Sequence, residues 1–128
     1  MMIRIKKGLD VPISGKPEQL VHVAKPVRHV GVLGVDHVDL KPAMLVAEGD
    51  KVKLGQALFE HKKLPGVRVT APGAGEVIAI RRGAERILQS VIIRLDETED
   101  EEPFTAYSAD QLASLTEVQV VENLVASG

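Results

Sequence analysis

The 128-residue chain contains no cysteine. That excludes disulfides, thiolate metal sites, thiolate iron–sulfur ligation and cysteine nucleophiles within it, and it fits a reducing cytosol. Tryptophan is also missing, and the aromatic side chains are only Phe59, Phe104 and Tyr107. The core must therefore be aliphatic, and stacking on nucleic-acid bases, which needs exposed rings, is nearly excluded. No apolar run approaches the roughly 20 residues of a membrane span. The opening MMIRIKKG lacks the apolar stretch of a signal peptide. Basic residues are absent after Arg94: residues 1–94 hold all 16 Lys and Arg with 9 acids, and residues 95–128 hold 9 acids. A basic body with a solvated acidic edge is the plain reading of this split. A sharper one is that the two halves dock on each other or on oppositely charged partners. The cations are scattered along the strands, so the basic half does not read as a nucleic-acid surface.

What is present is concentrated between Val46 and Ile80, VAEGDKVKLGQALFEHKKLPGVRVTAPGAGEVIAI. Apolar residues fall at alternate positions between glycine turns, first around Gly49-Asp50 and Gly55-Gln56, then around Ala71-Pro72 and Gly75. This is the pattern of short β-strands joined by tight bends. The spacing resembles the biotinyl/lipoyl carrier fold, a flattened barrel of hammerhead strands. Further strands are expected at Ile3–Ile5, Val27–Val35, around Val52, and at Leu58–Glu60, Val67–Thr70, Glu76–Ile80 and Ile87–Leu95. Gly8–Gln19, with Pro12, Gly15 and Pro17, reads as loop. The predicted class is mainly β, a barrel-sandwich hybrid over residues 1–95.

Asp96–Glu102 (DETEDEE) marks an acidic linker over residues 96–107. Beyond Pro103 the period changes, with Leu112, Leu115, Val118, Val121 and Leu124 at helical spacing. A short helical segment is expected over residues 108–128, with a turn near Ala109–Ala113 and a helix from Leu115 to Ala126. Ser114 and Glu117 have the spacing of a capping box. The apolar face of this helix points to a continuing chain, to another domain, or to packing back on the barrel.

The candidate chemistry is sparse. A swinging cofactor would need a lysine at the hairpin tip His61-Lys62-Lys63-Leu64-Pro65-Gly66, which leaves Lys62 and Lys63. Neither has the Asp-Lys-Ala setting of a lipoyl site or the paired methionines of a biotin site, and Pro65-Gly66 alters the bend. An intact mass equal to the unmodified chain after co-expression with both ligases would remove the carrier reading. His22, His29, His37 and His61 show no i, i+4 pair for a metal. Gly31-Val-Leu-Gly34 lacks the third glycine and the following helix of a dinucleotide fingerprint. No Gly-x-Ser-x-Gly or Ser-x-x-Lys occurs. Asp36 and Asp39 flank His37 in what reads as a solvated loop. No catalytic residue and no metal ligand is assigned.

Four segments in order carry a more specific likeness: IRIKKGLDVPISGKPEQ, VGVLGVDHVDLKPAMLVAEGDKVKLGQALFEHKKLPGVRVTAPGAGEV, RRGAERILQSVII and LASLTEVQVVENLVASG. Together they closely resemble the N-terminal region of the A subunit of the bacterial sodium-translocating NADH:quinone oxidoreductases. The resemblance implies a peripheral protein on the cytoplasmic face of the bacterial inner membrane, with no transmembrane segment and no covalent cofactor of its own. It implies docking on the adjacent membrane subunit, with NADH, flavins and iron–sulfur centres in partner subunits. It further implies a scaffold role, catalysis only as part of the complex, and a family pattern that runs on beyond Gly128. Quinone contact is implied for the segment Leu33–Leu40, with Leu33, Gly34, His37, Val38 and Leu40 as candidates and ubiquinone as the ligand. The family usually places an aromatic at His37 and a glycine near Asp39, so this segment is more polar here.

Overall fold

A computed structural model describes Gly8 and residues 14–128. The expected strand at Ile3–Ile5 lies outside the described residues. From Ser14 to Arg28 the chain has no regular secondary structure and is exposed throughout. Seven strands follow: β1 (His29–Leu33), β2 (Pro42–Met44), β3 (Lys51–Val52), β4 (Ala57–His61), β5 (Leu64–Thr70), β6 (Gly75–Arg82) and β7 (Leu88–Leu95). They form two antiparallel sheets, one of order β1-β7-β6-β3 and one of order β2-β4-β5. The mainly β, barrel-sandwich architecture is the one the glycine spacing predicts.

The core is aliphatic apart from one ring. Val46, Val52, Leu58, Phe59, Ala71, Val77, Leu88, Val91 and Ile93 form a single buried cluster between the sheets. Val77 on β6 faces Ile93 on β7 in register, so the two strands present their β-branched side chains to the same interior. Simple alternation would bury only one of Leu58 and Phe59, yet both are fully buried. The reason is a register shift: Ala57 pairs Thr70, but Phe59 pairs Val69, so β4 gains a residue there. Each of these two burials is worth roughly 1.5–3 kcal/mol.

Two turns hold the hammerhead together, and they have the same chemistry. In Ala47–Asp50 the Ala47 N–H donates to Asp50 Oδ2 at 2.7 Å, and the Asp50 N–H donates back to the Ala47 carbonyl at 3.2 Å. In Lys53–Gln56 the Lys53 N–H donates to Gln56 Oε1 at 3.0 Å, and the Gln56 N–H to the Lys53 carbonyl at 3.1 Å. The third residue of each is a glycine at positive φ, Gly49 at 94° and Gly55 at 81°, a conformation that side chains resist. The first turn then clasps β6 and the second clasps Ala71, the residue that follows β5. Gly49 N–H donates to Val77 and Val77 N–H to Asp50, while Gly55 N–H donates to Ala71 and Ala71 N–H to Gln56. Replacing Asp50 or Gln56 by Ala removes one side-chain acceptor, and each should cost about 1 kcal/mol. Urea unfolding of the two variants and of their double mutant checks this. The losses should add, because the turns share no side-chain partner.

The hairpin bend between β4 and β5 is the two residues Lys62-Lys63, with His61 pairing Leu64. This corrects the expectation that Pro65-Gly66 shapes the bend. Both lie inside β5, where the register jumps from His61–Leu64 to Glu60–Arg68 and Gly66 takes φ 96°. They form a bulge in an edge strand, one of the few sheet positions open to proline.

The acidic segment after β7 runs along the barrel. Leu54 forms a parallel bridge with Glu101, donating to the Asp100 carbonyl and accepting from the Glu102 N–H, both at 2.8 Å. Lys51–Asp96 at 2.8 Å and Lys53–Asp100 at 3.4 Å bring the oppositely charged parts together. These pairs are largely exposed and are worth at most about 1 kcal/mol each.

Two helices follow, α1 (Ala109–Leu112) and α2 (Glu117–Ser127). The cap of α2 is Thr116, not Ser114: the Gln119 N–H donates to Thr116 Oγ1 at 3.4 Å, and the Thr116 N–H donates to Gln119 Oε1 at 2.9 Å. Ser114-x-x-Glu117 and Thr116-x-x-Gln119 both satisfy the capping pattern. The chain uses the second because Ser114 closes α1 instead, its hydroxyl donating to the Gln111 carbonyl at 2.8 Å. The C-terminal end of α2 packs on the β5 edge, where Thr70 Oγ1 donates to the Ser127 carbonyl at 3.3 Å.

Candidate functional site

A cleft of about 540 Å3 lies between the segment after β1 and the β6–β7 hairpin loop. One wall is Gly34 with Asp39, Leu40, Lys41 and Pro42; the other is Arg82 with Glu85, Arg86, Ile87 and Leu88. The first wall begins where β1 ends in a single 3₁₀ turn, Gly34–Asp36, closed by the His37 N–H donating to the Gly34 carbonyl. Only glycine fits at the start of this turn, because a Cβ on Gly34 would lie 2.1 Å from the Leu88 carbonyl oxygen. The two walls meet at that backbone-on-backbone contact.

The second wall is a tight hairpin with an unusual composition. The Ile87 N–H donates to the Ala84 carbonyl at 3.1 Å, and the central residues Glu85 and Arg86 have φ 53° and 61°. Positive φ at both central positions is the requirement of a type I′ turn, normally met by Asn-Gly or Asp-Gly. Here it is met by two long charged residues, at a cost of roughly 1–2 kcal/mol each. Asp39 on the facing wall has φ 59°. A glycine would adopt that conformation without strain. Glu85→Asn with Arg86→Gly should stabilise the chain by about 1–2 kcal/mol by relieving the turn. The check is the unfolding midpoint in urea at constant slope.

The sequence-derived candidates are distributed unevenly. Gly34 and Leu40 line the cleft. His37 is half-buried outside its lining, edge-on to the Phe59 ring with centroids 6.0 Å apart. Leu33 and Val38 also lie outside the lining, and Val38 is 86% exposed. Lys62 and Lys63 sit together at the exposed hairpin tip, where the Lys63 N–H donates to His61 Nδ1 at 3.0 Å. Among the described residues, no three His, Asp or Glu side chains are grouped to hold a metal ion, and no helix is long and apolar enough to cross a membrane. Lys41, Arg82, Glu85 and Arg86 belong to no recognisable short motif. The signal available in sequence is RRGAER, four charged residues in six, placed between two apolar strands.

Residues 3–96 match the model of one protein family, described as the NqrA N-terminal barrel-sandwich hybrid domain. The chain belongs to this family. Its relatives include the A subunit of the Na(+)-translocating NADH-quinone reductase of Pseudomonas aeruginosa strain UCBPP-PA14, 58% identical over 127 residues. The same subunits of Histophilus somni strain 2336 and of Alcanivorax borkumensis strain SK2 are each 54% identical over 127 residues. Each alignment covers 99% of this chain and 28% of the relative, so the chain spans somewhat more than a quarter of the length of these proteins. The family's barrel-sandwich domain contains both walls of the cleft, both clasping turns and the lysine-tipped hairpin, while α1 and α2 lie beyond the matched region.

Proposed function

We propose that this chain is a docking and scaffold module of the NqrA protein in a sodium-translocating NADH-quinone reductase, peripheral to the membrane and without turnover of its own. The observation that carries the reading is apolar surface left in solvent, including two stretches on either side of the barrel in sequence. Leu20, Val21, Val23 and Val27 are exposed on the extended segment before β1, and Val118, Val121 and Leu124 are exposed on α2. Both flank a barrel whose strands are clasped by paired glycine turns, a rigid frame for presenting them. Exposed apolar side chains grouped in this way mark contact surfaces. The absence of cysteine from these segments makes the test clean. Val21→Cys and Val121→Cys, placed singly in full-length NqrA, should react with a maleimide much more slowly in the assembled complex than in this chain alone. Equal labelling of the corresponding peptides by mass spectrometry would overturn the docking reading.

Quinone contact belongs to the same reading and is supported by the cleft. Its volume lies within the 300–1,000 Å3 typical of small-molecule sites, and Leu40, Pro42, Ile87 and Leu88 supply apolar lining. A photoreactive quinone analogue added to the assembled complex should label the peptide containing Leu33–Leu40. Label confined to other proteins of the complex would remove quinone from this chain.

A further inference from the structure

A neutral quinone ring leaves the cleft's charges without a role. Lys41 lines one wall and Arg82 and Arg86 the other. The ion pairs formed among the described residues are Lys51–Asp96, Lys53–Asp100 and Arg94–Glu76, and none of the three cleft cations belongs to them. Arg82 Nη1 instead donates to the Arg86 carbonyl at 3.2 Å. That bond steadies the guanidinium and leaves most of its five N–H donors unused. A second observation is independent of charge. Asp39, Glu85 and Arg86 are the non-glycine residues with positive φ among the described residues, and all three line this cleft. Backbone held in such conformations concentrates at ligand clamps, where the surrounding structure over-determines it.

Asp39 and Glu85 restrict what can enter. As carboxylates they only accept hydrogen bonds, so they suit hydroxyl groups and disfavour a bare dianion. We infer that the cleft binds a phosphate ester that also carries free hydroxyls. Lys41, Arg82 and Arg86 hold the phosphate, Asp39 and Glu85 accept from the hydroxyls, and any apolar body lies along the Leu40 side. The glycerol phosphate group combines these features, either as a free polyol phosphate or as the headgroup of an anionic phospholipid. The inference does not rest on the exposed apolar segments, but it gives the cleft a different occupant from quinone, so a quinone analogue that labels the cleft and is not displaced by the ester would count against it.

The test uses the 15N-labelled chain in two arms, with inorganic phosphate titrated as a reference ligand in the first. In one arm sn-glycerol 3-phosphate is titrated and amide shifts are read at Gly34, Lys41 and Arg86. In the other, the chain is floated with phosphatidylcholine vesicles that contain or lack phosphatidylglycerol. Saturable shifts with the free ester alone support a soluble ligand, and flotation on the anionic vesicles supports a lipid headgroup. In either case Arg82→Gln with Arg86→Gln should weaken binding about tenfold or more. Arg81→Gln, a neighbouring cation outside the cleft, should change it less than about twofold. All three side chains are exposed, so these variants spare the core. Binding to neither probe would overturn the inference. So would equal affinity for inorganic phosphate and the ester, or equal losses in the Arg81 and the double variant, which would show attraction to the basic body as a whole.

Discussion

Replacing Phe59 by Ala should unfold a large share of the population near physiological temperature. Phe59 is the one aromatic in an otherwise aliphatic core, and it is completely buried. Truncating a buried Phe costs about 3–5 kcal/mol, against a total of roughly 5–15 kcal/mol for a domain of ordinary stability. The local consequence is as informative as the global one. The ring is the edge-on partner of His37 at 6.0 Å, so its loss also frees the segment that carries Gly34, Asp39 and Leu40. Urea unfolding should give the global loss. NMR line widths of residues 34–40 in the remaining folded chain should show the local one. Phe59→Leu, which keeps most of the volume, should cost less than half as much. Equal losses in the two variants would mean that ring shape, and not buried volume, sets the contribution of this position.

Gly34→Val should be comparably damaging for a different reason. The added Cβ would meet the Leu88 carbonyl oxygen at 2.1 Å and its carbon at 2.9 Å. The obstacle is backbone, so no rotamer change relieves it, and the 3₁₀ turn must move away from β7. Because Leu33 pairs Ser90 one residue before, the displacement strips the end of the β1–β7 ladder. We expect a loss of several kcal/mol, in the upper range of single substitutions. The amides of β1 and of Leu88–Ser90 should shift together in the NMR spectrum. Gly31→Val is the control: a Cβ there meets only the Val91 carbonyl oxygen, at 3.9 Å. It should therefore perturb the chain far less.

The alternation of apolar residues between Val46 and Leu95 and the glycine turns make the barrel legible, because strand period and turn chemistry are both local. Bulges are not local. Nothing in Ala57-Leu-Phe-Glu-His61 announces that Leu58 and Phe59 will both be buried; that depends on the register β5 offers. The serine and threonine caps are equally good as sequence patterns, and a hydroxyl bond at Ser114 separates them. The cleft is half legible. Gly34 and Leu40 follow from the resemblance, but the facing wall is hidden because its turn lacks the Asn-Gly signature that usually betrays a type I′ hairpin. Folding joins Lys41 to Arg82 and Arg86 across some forty residues of sequence, a pairing no linear motif records.

The paired turns at Ala47–Asp50 and Lys53–Gln56 have a consequence for solvent exchange. Surface bends normally give up their amide protons within the dead time of a deuterium experiment, because water is the partner of their N–H groups. Here the amides of Ala47, Gly49, Asp50, Lys53, Gly55 and Gln56 all donate within the protein. Gly49 is tied directly to β6 and Gly55 to the residue that follows β5, so their exchange should wait for opening of the barrel itself. The two bends should thus keep their protons as long as the strands do, and lose them at the same rate as each other.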